Sequence, residues 1–168
     1  MIREVEGDIL LTRAQVIAHG IAPQDHFDSG LALALRERWP SLVRDYRHAT
    51  QSRAASPGDI WVWAGVDADG ATRRIVNLLT QNMRGEGPAA KPDKATLENV
   101  GHTLKALAHY LQKEGINSVA LPRLATGVGG LEWVDVKPLI HQYLGGLGTA
   151  VLVYEVYRAG VQADEQLG

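Results

Sequence analysis

One stretch, Leu121-Pro122-Arg123-Leu124-Ala125-Thr126-Gly127-Val128-Gly129-Gly130-Leu131-Glu132-Trp133, limits the possible folds of this chain more than any other. Ahead of it, Ile116 to Leu121 is short, apolar and β-branched, the pattern of a buried strand. Behind it, Val134 to Leu144 carries apolar residues at helical spacing. The pattern predicts a glycine-rich loop between a strand's C-terminal end and a helix's N-terminus. Free backbone N–H groups and the helix dipole favour an anion at such a junction. Gly127, Gly129 and Gly130 would let the backbone close on phosphate oxygens with no Cβ in the way. A tight connection needing only positive φ would use the same glycines, so spacing alone leaves both readings open.

Two familiar phosphate loops are excluded. A P-loop has Lys-Ser or Lys-Thr after its last glycine, where this chain has Leu131-Glu132. The dinucleotide fingerprint requires a glycine where Glu132 stands, and it belongs near a first βαβ unit rather than late in the chain. A phosphate cradle of another kind is left.

The 168 residues suit one domain that buries about two-thirds of its unfolded surface. A net charge of −2 gives no overall excess pointing to nucleic acid, though it is compatible with a local basic patch. Without cysteine there are no disulfides, thiolate metal sites or cysteine nucleophiles. No signal peptide precedes the first strand, and no apolar run approaches membrane-spanning length. A cytoplasmic monomer with no membrane partner is expected.

In chain order the pattern predicts a strand over Met1–Val5 and another over Gln15–Ile21. A helix capped by Ser29 follows, then a second helical segment opened by Pro40. Asp59–Ala64 and Thr72–Leu79, joined by Asp67-Ala68-Asp69-Gly70, read as an antiparallel hairpin. Thr80 to Pro92 reads as an irregular loop. A long amphipathic helix through Leu97, Val100, Leu104, Leu107 and Leu111 ends at Gly115. The organising strand, loop and helix come next, and Thr149–Tyr157 is the last strand. Alternating strands and helices imply an α/β fold, a three-layer α/β/α sandwich around a central mixed sheet. Residues 1–158 form the one expected domain, and 159–168 a frayed polar tail.

Four polar or glycine-bearing segments follow strands: Gly7-Asp8, His19 to Gly30, Thr80 to Pro92 and the organising loop. Ligands of open α/β sheets bind beyond the C-terminal ends of the strands, so one composite crevice is expected. Taken singly, Asp8 reads as a turn or capping aspartate, Tyr154 as a sheet-face tyrosine and His19 as a structural histidine.

Taken together, these residues resemble the macrodomains, which bind ADP-ribose. The resemblance runs from about Val5 to Tyr157. It rests on Gly7-Asp8-Ile9, on Ile17-Ala18-His19-Gly20-Ile21 with Ser29-Gly30-Leu31-Ala32, and on Leu121 to Trp133. Pro122, the Gly-x-x-x-Leu-x-Trp ending at Gly127–Trp133, and Lys91-Pro92 before Leu97-Glu98-Asn99 are similar to one branch. That branch holds the terminal (glutamyl-)ADP-ribose glycohydrolases and the bacterial enzymes that remove ADP-ribose from thymidine in DNA.

The resemblance implies roles for particular residues. Asp8 would accept a hydrogen bond from the adenine amino group, Ile9 would supply a backbone N–H, and Tyr154 would stack on the base. Ser29-Gly30-Leu31 and Thr126 to Gly130, with Val128 and Gly129 between, would hold the diphosphate from opposite sides. His19 would face the distal ribose. Gly20, Pro122, Leu124 and Ala125 complete the expected ADP-ribose contacts. Two departures stand against the branch. Gln81 takes the place of its nucleophilic lysine, and Gly129 the place of its catalytic aspartate. A neutral amide cannot form a lysine-type adduct.

Hydrolysis without that lysine, with Gln81 or His19 positioning a water, is therefore expected on carboxylate-ester (glutamate or aspartate) or thymidine-DNA conjugates. The alternatives are a non-catalytic reader of ADP-ribose marks and a binder of a related small nucleotide. Lys91 is the one rival nucleophile downstream of Gln81. The expected partners are ADP-ribose and ADP-ribosylated protein or DNA, with no metal and no cofactor.

Overall fold

The computed structural model describes residues 1–167, so Gly168 of the expected tail lies outside the described residues. The strands are β1 (Ile2–Gly7), β2 (Val16–Ile21), β3 (Ile60–Val66), β4 (Thr72–Leu79), β5 (Gln81–Arg84), β6 (Lys91–Ala95), β7 (Ser118–Pro122) and β8 (Ala150–Tyr157). The helices are α1 (Gly30–Arg38), α2 (Pro40–Ser52), α3 (Leu97–Lys113) and α4 (Trp133–Leu144). Six strands form the central sheet in the order β1-β8-β7-β2-β4-β3. All neighbours are parallel except β3, which runs antiparallel to β4 at the edge.

Strand alternation divides the apolar residues between two cores. Along β2, Val16 and Ala18 join one cluster while Ile17 and Ile21 join the other. Val100, Leu104, Leu107 and Leu111 of α3 and Val136, Ile140 and Leu144 of α4 cover the first face. Leu35 of α1, with Leu42, Val43 and Tyr46 of α2, covers the second. The sheet is thus enclosed by helices on both sides, and the fold is an α/β/α sandwich with a mixed sheet. Local signals set the helix ends. The Thr96 hydroxyl accepts the Asn99 N–H at 3.0 Å to start α3, and Ile116 N–H reaches back to Leu111 O at 2.9 Å past Gly115. Among the described residues no helix is long and apolar enough to cross a membrane.

Two expectations are corrected. Thr80–Pro92 is not an irregular loop, because Gln81–Arg84 and Lys91–Ala95 pair as an antiparallel ribbon with Met83 opposite Pro92. Glycine and proline read as breakers, but a two-stranded ribbon has a free edge that tolerates a residue without an N–H. The segment after Arg158 is not frayed either, but returns along β1. The Asp8 N–H donates to Val161 O at 2.7 Å, and the Arg3 guanidinium to Glu165 O at 2.6 Å. Gly7 permits this crossing, since a Cβ there would lie 2.8 Å from both Ala163 N and Val161 O.

Candidate functional site

The C-terminal ends of β1, β2, β4 and β7 meet two adjoining cavities, one of about 320 Å³ around His19 and one of about 420 Å³ around Asp8. Leu31 and Pro122 line both, so the two chambers form one crevice beneath α1 and the glycine loop.

The loop closes on itself. Leu131 N–H donates to Ala125 O at 3.0 Å and Gly130 N–H to Gly127 O at 3.1 Å, while the Thr126 hydroxyl turns back to Arg123 O at 2.8 Å. Among the described residues the N–H groups of Gly127, Val128 and Gly129 donate to nothing, and all three residues line the crevice. Gly129 has a steric reason to be glycine, because a Cβ there would lie 2.6 Å from Ala125 O. The aspartate expected at this position in the resembling branch does not fit this loop conformation. Ala95 N–H of β6 donates to Gly129 O at 2.9 Å and ties the ribbon to the loop.

The helix expected to point its N-terminus at the anion does not do so. Leu131 and Glu132 intervene, α4 begins at Trp133, and none of the three lines the crevice. The Trp133 indole instead donates to Glu155 Oε1 at 2.9 Å and pins α4 to β8. The helix N-terminus at the crevice is that of α1. Ser29 occupies its N-cap without making a side-chain cap bond, and Ser29, Leu31 and Ala32 line the wall.

In the first chamber His19 is only 2% exposed and sits opposite Asn77 in the β2–β4 register. The Asn77 amide nitrogen donates to Trp61 O at 3.1 Å, so its oxygen faces His19 Nε2 at 2.7 Å. A carbonyl oxygen only accepts, and Nε2 therefore carries the proton. Burial lowers the His19 pKa, against the raising effects of the Asn77 bond and the Asp25 charge. The ring is neutral near pH 7 and Nδ1 is an acceptor. Thr80 Oγ1 is the one buried side-chain polar atom without a partner among the described residues, and Thr80 lines the same wall. The Gln81 amide nitrogen donates to Asp93 O at 2.8 Å, which commits half of that side chain to holding β6.

The second chamber is walled by Gly7 to Leu10, Gly30, Leu31, Tyr154 and Tyr157. Asp8 accepts the N–H groups of Leu10 at 3.0 Å and Gly160 at 2.9 Å. The Tyr154 hydroxyl donates to Glu165 Oε2 at 2.6 Å; burial and the neighbouring carboxylate push its pKa up. Glu165 also accepts the Thr12 hydroxyl at 2.5 Å and the Arg13 N–H at 2.9 Å.

Comparison with known proteins gives the family. The Macro domain family model matches residues 20–140. The chain belongs to the macrodomain family. The DNA ADP-ribosyl glycohydrolase of Thermus aquaticus is 30% identical over 157 residues, covering 92% of this chain and 41% of that protein. The solved macrodomain of Thermus aquaticus DarG superposes with a TM-score of 0.76 at 29% identity, covering 92% of this chain and 98% of that one. The human ADP-ribose glycohydrolase OARD1 is 23% identical over 151 residues, covering 89% of this chain and 88% of that protein. The chain thus spans about two-fifths of the length of the bacterial relatives.

Within this macrodomain the expected contact residues fall into three groups. His19, Gly20, Ser29, Leu31, Pro122, Ala125, Gly127, Val128, Gly129 and Gln81 line the first chamber. Asp8, Ile9, Gly30, Leu31, Pro122 and Tyr154 line the second. Thr126 and Gly130 line neither, and Leu124, fully buried, packs into the core under α3 and α4. Lys91 is exposed and absent from the crevice wall, although its neighbour Pro92 lines it. Sequence reasoning missed Asn77, Thr80 and Glu165. The β2–β4 register could have paired Asn77 with His19, but no local signal marks Glu165. Among the described residues no group of three His, Asp or Glu could hold a metal.

Proposed function

We propose that this macrodomain binds ADP-ribose along the crevice and hydrolyses the bond joining its distal ribose to a carboxylate ester or to thymidine in DNA. Adenine occupies the chamber of Asp8 and Tyr154. The diphosphate lies between the free N–H groups of the glycine loop and the N-terminus of α1. The distal ribose reaches His19. The names of the relatives support this reading, as does the convergence of Asp8, Ile9, Tyr154 and the glycine loop on one crevice. The observation that carries it is the neutral His19, which lines the crevice with its Nε2 bound to Asn77 and its Nδ1 left without a protein partner among the described residues.

In this mechanism a water oxygen attacks the anomeric carbon, through the oxocarbenium-like state expected of glycosyl transfer. The water's proton passes to His19 Nδ1, and the acceptor leaves as a carboxylate or thymine anion. Both leaving groups delocalise charge, so a strong general acid is not needed. The Thr80 hydroxyl and the Gln81 amide hold the water, with no covalent lysine adduct.

The test follows free ADP-ribose released from glutamate-linked, serine-linked and thymidine-linked conjugates. His19→Gln keeps an N–H for Asn77 and removes the base. Release should slow by about 10²–10⁴-fold, the range for a positioned general base, with ADP-ribose affinity nearly unchanged in calorimetry. The loss of the lysine and aspartate, together with the Gln81 nitrogen held by Asp93, favours a second reading as a non-catalytic reader. Tight ADP-ribose binding with no release from any of the three conjugates would establish that reader instead.

A further inference from the structure

Helix α2 buries Leu42, Val43 and Tyr46 and exposes Arg44, Arg47 and His48, residues three and four apart on one outward stripe. With Arg36 they line a shallow groove of about 560 Å³. Arg47 also walls a smaller cavity of about 240 Å³ with Asp25 and His26, and those two residues line the His19 chamber. The Arg36 guanidinium donates to His26 O at 3.2 Å, at the joint between the cavities. A continuous path leads from the reactive end of the crevice onto a basic helix face.

The charge on this path is unlike that of the rest of the chain. Arg36 to Arg53 contains five arginines against Glu37 and Asp45, in a protein whose net charge is −2. The acids nearby are partly occupied. Asp45 accepts the Trp63 indole at 2.8 Å, and Asp25 accepts the N–H groups of Ala22 at 2.9 Å and Phe27 at 2.8 Å. Arg44 comes no closer than 4.0 Å to Asp45, and Arg47 makes no ion pair among the described residues. Arg47 has no side-chain partner among the described residues, and Arg44 donates only to the Ser41 hydroxyl at 3.1 Å. Two such guanidinium groups one helical turn apart suit successive phosphates. A peptide acceptor does not offer them an anion at every residue, whereas a nucleic-acid backbone offers one at every nucleotide.

We propose that this face of α2 docks the single-stranded nucleic acid flanking an ADP-ribosylated nucleotide, with its phosphates on Arg44 and Arg47. The proposal rests on the reading of the crevice as an ADP-ribose site, and it adds the surface that selects DNA over protein conjugates.

The test uses the Arg44→Glu/Arg47→Glu protein, whose two positions are exposed, with circular dichroism to check the fold. Four probes are titrated: free ADP-ribose, an unmodified fluorescent single strand, the same strand carrying ADP-ribosyl thymidine, and an ADP-ribosyl-glutamate peptide. The wild type should bind both strands with an affinity that falls with salt, by about 0.7 log units per decade of salt for each phosphate contacted. Near 50 mM salt the variant should bind both strands roughly tenfold more weakly or worse, with a shallower salt slope, because two contacts are lost. Its affinity for free ADP-ribose should be unchanged. Equal strand binding by variant and wild type would overturn the proposal. So would an equal loss on an ADP-ribosyl-glutamate peptide. Wild type that binds ADP-ribose but not the unmodified strand would remove the surface and leave the crevice reading intact. The reverse pattern, with strand binding lost in the variant, would remove the crevice reading and leave the surface.

Discussion

At the Asp8 end of the crevice the strong polar groups are already engaged: Asp8 by two backbone N–H groups, Tyr154 by Glu165, and Glu165 by three donors. At the His19 end three loop N–H groups and the Thr80 hydroxyl have no partner among the described residues, and the His19 ring is bonded through one nitrogen only. Engaged groups hold a shape. The idle Thr80 hydroxyl is buried, where an unpaired polar group is costly. The N–H groups of the exposed Gly127 and Val128 stand open to whatever enters the crevice. On the proposed reading the first end takes a flat base and the second takes oxygen atoms, which divides binding and chemistry between chambers that share only Leu31 and Pro122.

The sharpest way to break this division is Gly127→Val. A Cβ at Gly127 meets no atom within 4 Å, so the fold should tolerate it. The branched side chain would stand before the loop's free N–H groups, where the proposed diphosphate would approach. ADP-ribose binding should disappear from calorimetry while circular dichroism stays at wild type. Normal binding would mean that the loop is only a turn and that its idle groups serve nothing.

Glu165→Ala attacks the other end. It would leave the Thr12 hydroxyl, the Arg13 N–H and the Tyr154 hydroxyl without their acceptor, each at a cost of about 1–3 kcal/mol if nothing replaces it. Thermal unfolding should fall by several degrees, at about 2–4 °C per kcal/mol for a chain of this size. ADP-ribose affinity should also weaken as Tyr154 loosens. Glu165→Gln should recover only part of both losses, because donors reach both carboxylate oxygens and an amide nitrogen cannot accept. An unchanged melting temperature would show that the returning tail is no part of this wall.

These two residues also mark how far the sequence could be read. Gly127 lies in a loop flanked by strand and helix patterns, and periodicity together with glycine spacing located it. The alternation that buries Val16 and Ile17 in opposite cores was equally visible, and with it the layered sheet. Glu165 was hidden because a polar C-terminal segment carries no periodicity. Its order comes from contacts with residues more than a hundred positions away, such as Thr12 and Arg13. The ribbon of Gln81–Arg84 and Lys91–Ala95 was hidden for another reason, since glycine and proline argue locally against the strand that long-range pairing produces. Leu124 was misplaced because a loop residue's orientation depends on the turn at Ala125, which sequence spacing does not show.

A smaller effect should appear in the dependence of stability on pH. Burial holds His19 below the ordinary imidazole value of about 6.5, so the folded protein binds fewer protons than the unfolded chain in that range. The His19 contribution is complete above the unfolded value. It is lost as pH falls from there toward the folded value, by at most about 1.4 kcal/mol per pH unit. Urea unfolding at a series of pH values below neutrality should show this decline in the wild type and a flatter profile in His19→Gln. Parallel profiles would mean that the His19 end is not held neutral by its burial.

The smallest expected effect concerns Ala125, which adopts φ of 62° at the base of the loop. A left-handed conformation costs an L-residue roughly 1–2 kcal/mol, and glycine escapes that cost. Ala125→Gly also frees the unfolded chain, which costs about 0.4–1 kcal/mol, and it removes a methyl that packs against the core beneath α3 and α4. The terms nearly cancel, so chemical denaturation should place the variant between unchanged and about 1 kcal/mol more stable. Binding should respond in the opposite sense. The alanine restricts the loop to the conformation in which the Ala125 carbonyl receives the Leu131 N–H, and a glycine would let the free N–H groups of Gly127 to Gly129 wander. Slightly weaker ADP-ribose binding in a protein no less stable would show that the crevice keeps strain here for the sake of a ready anion cradle. A clear loss of stability would instead assign Ala125 to packing and move the origin of the loop's shape to its neighbours.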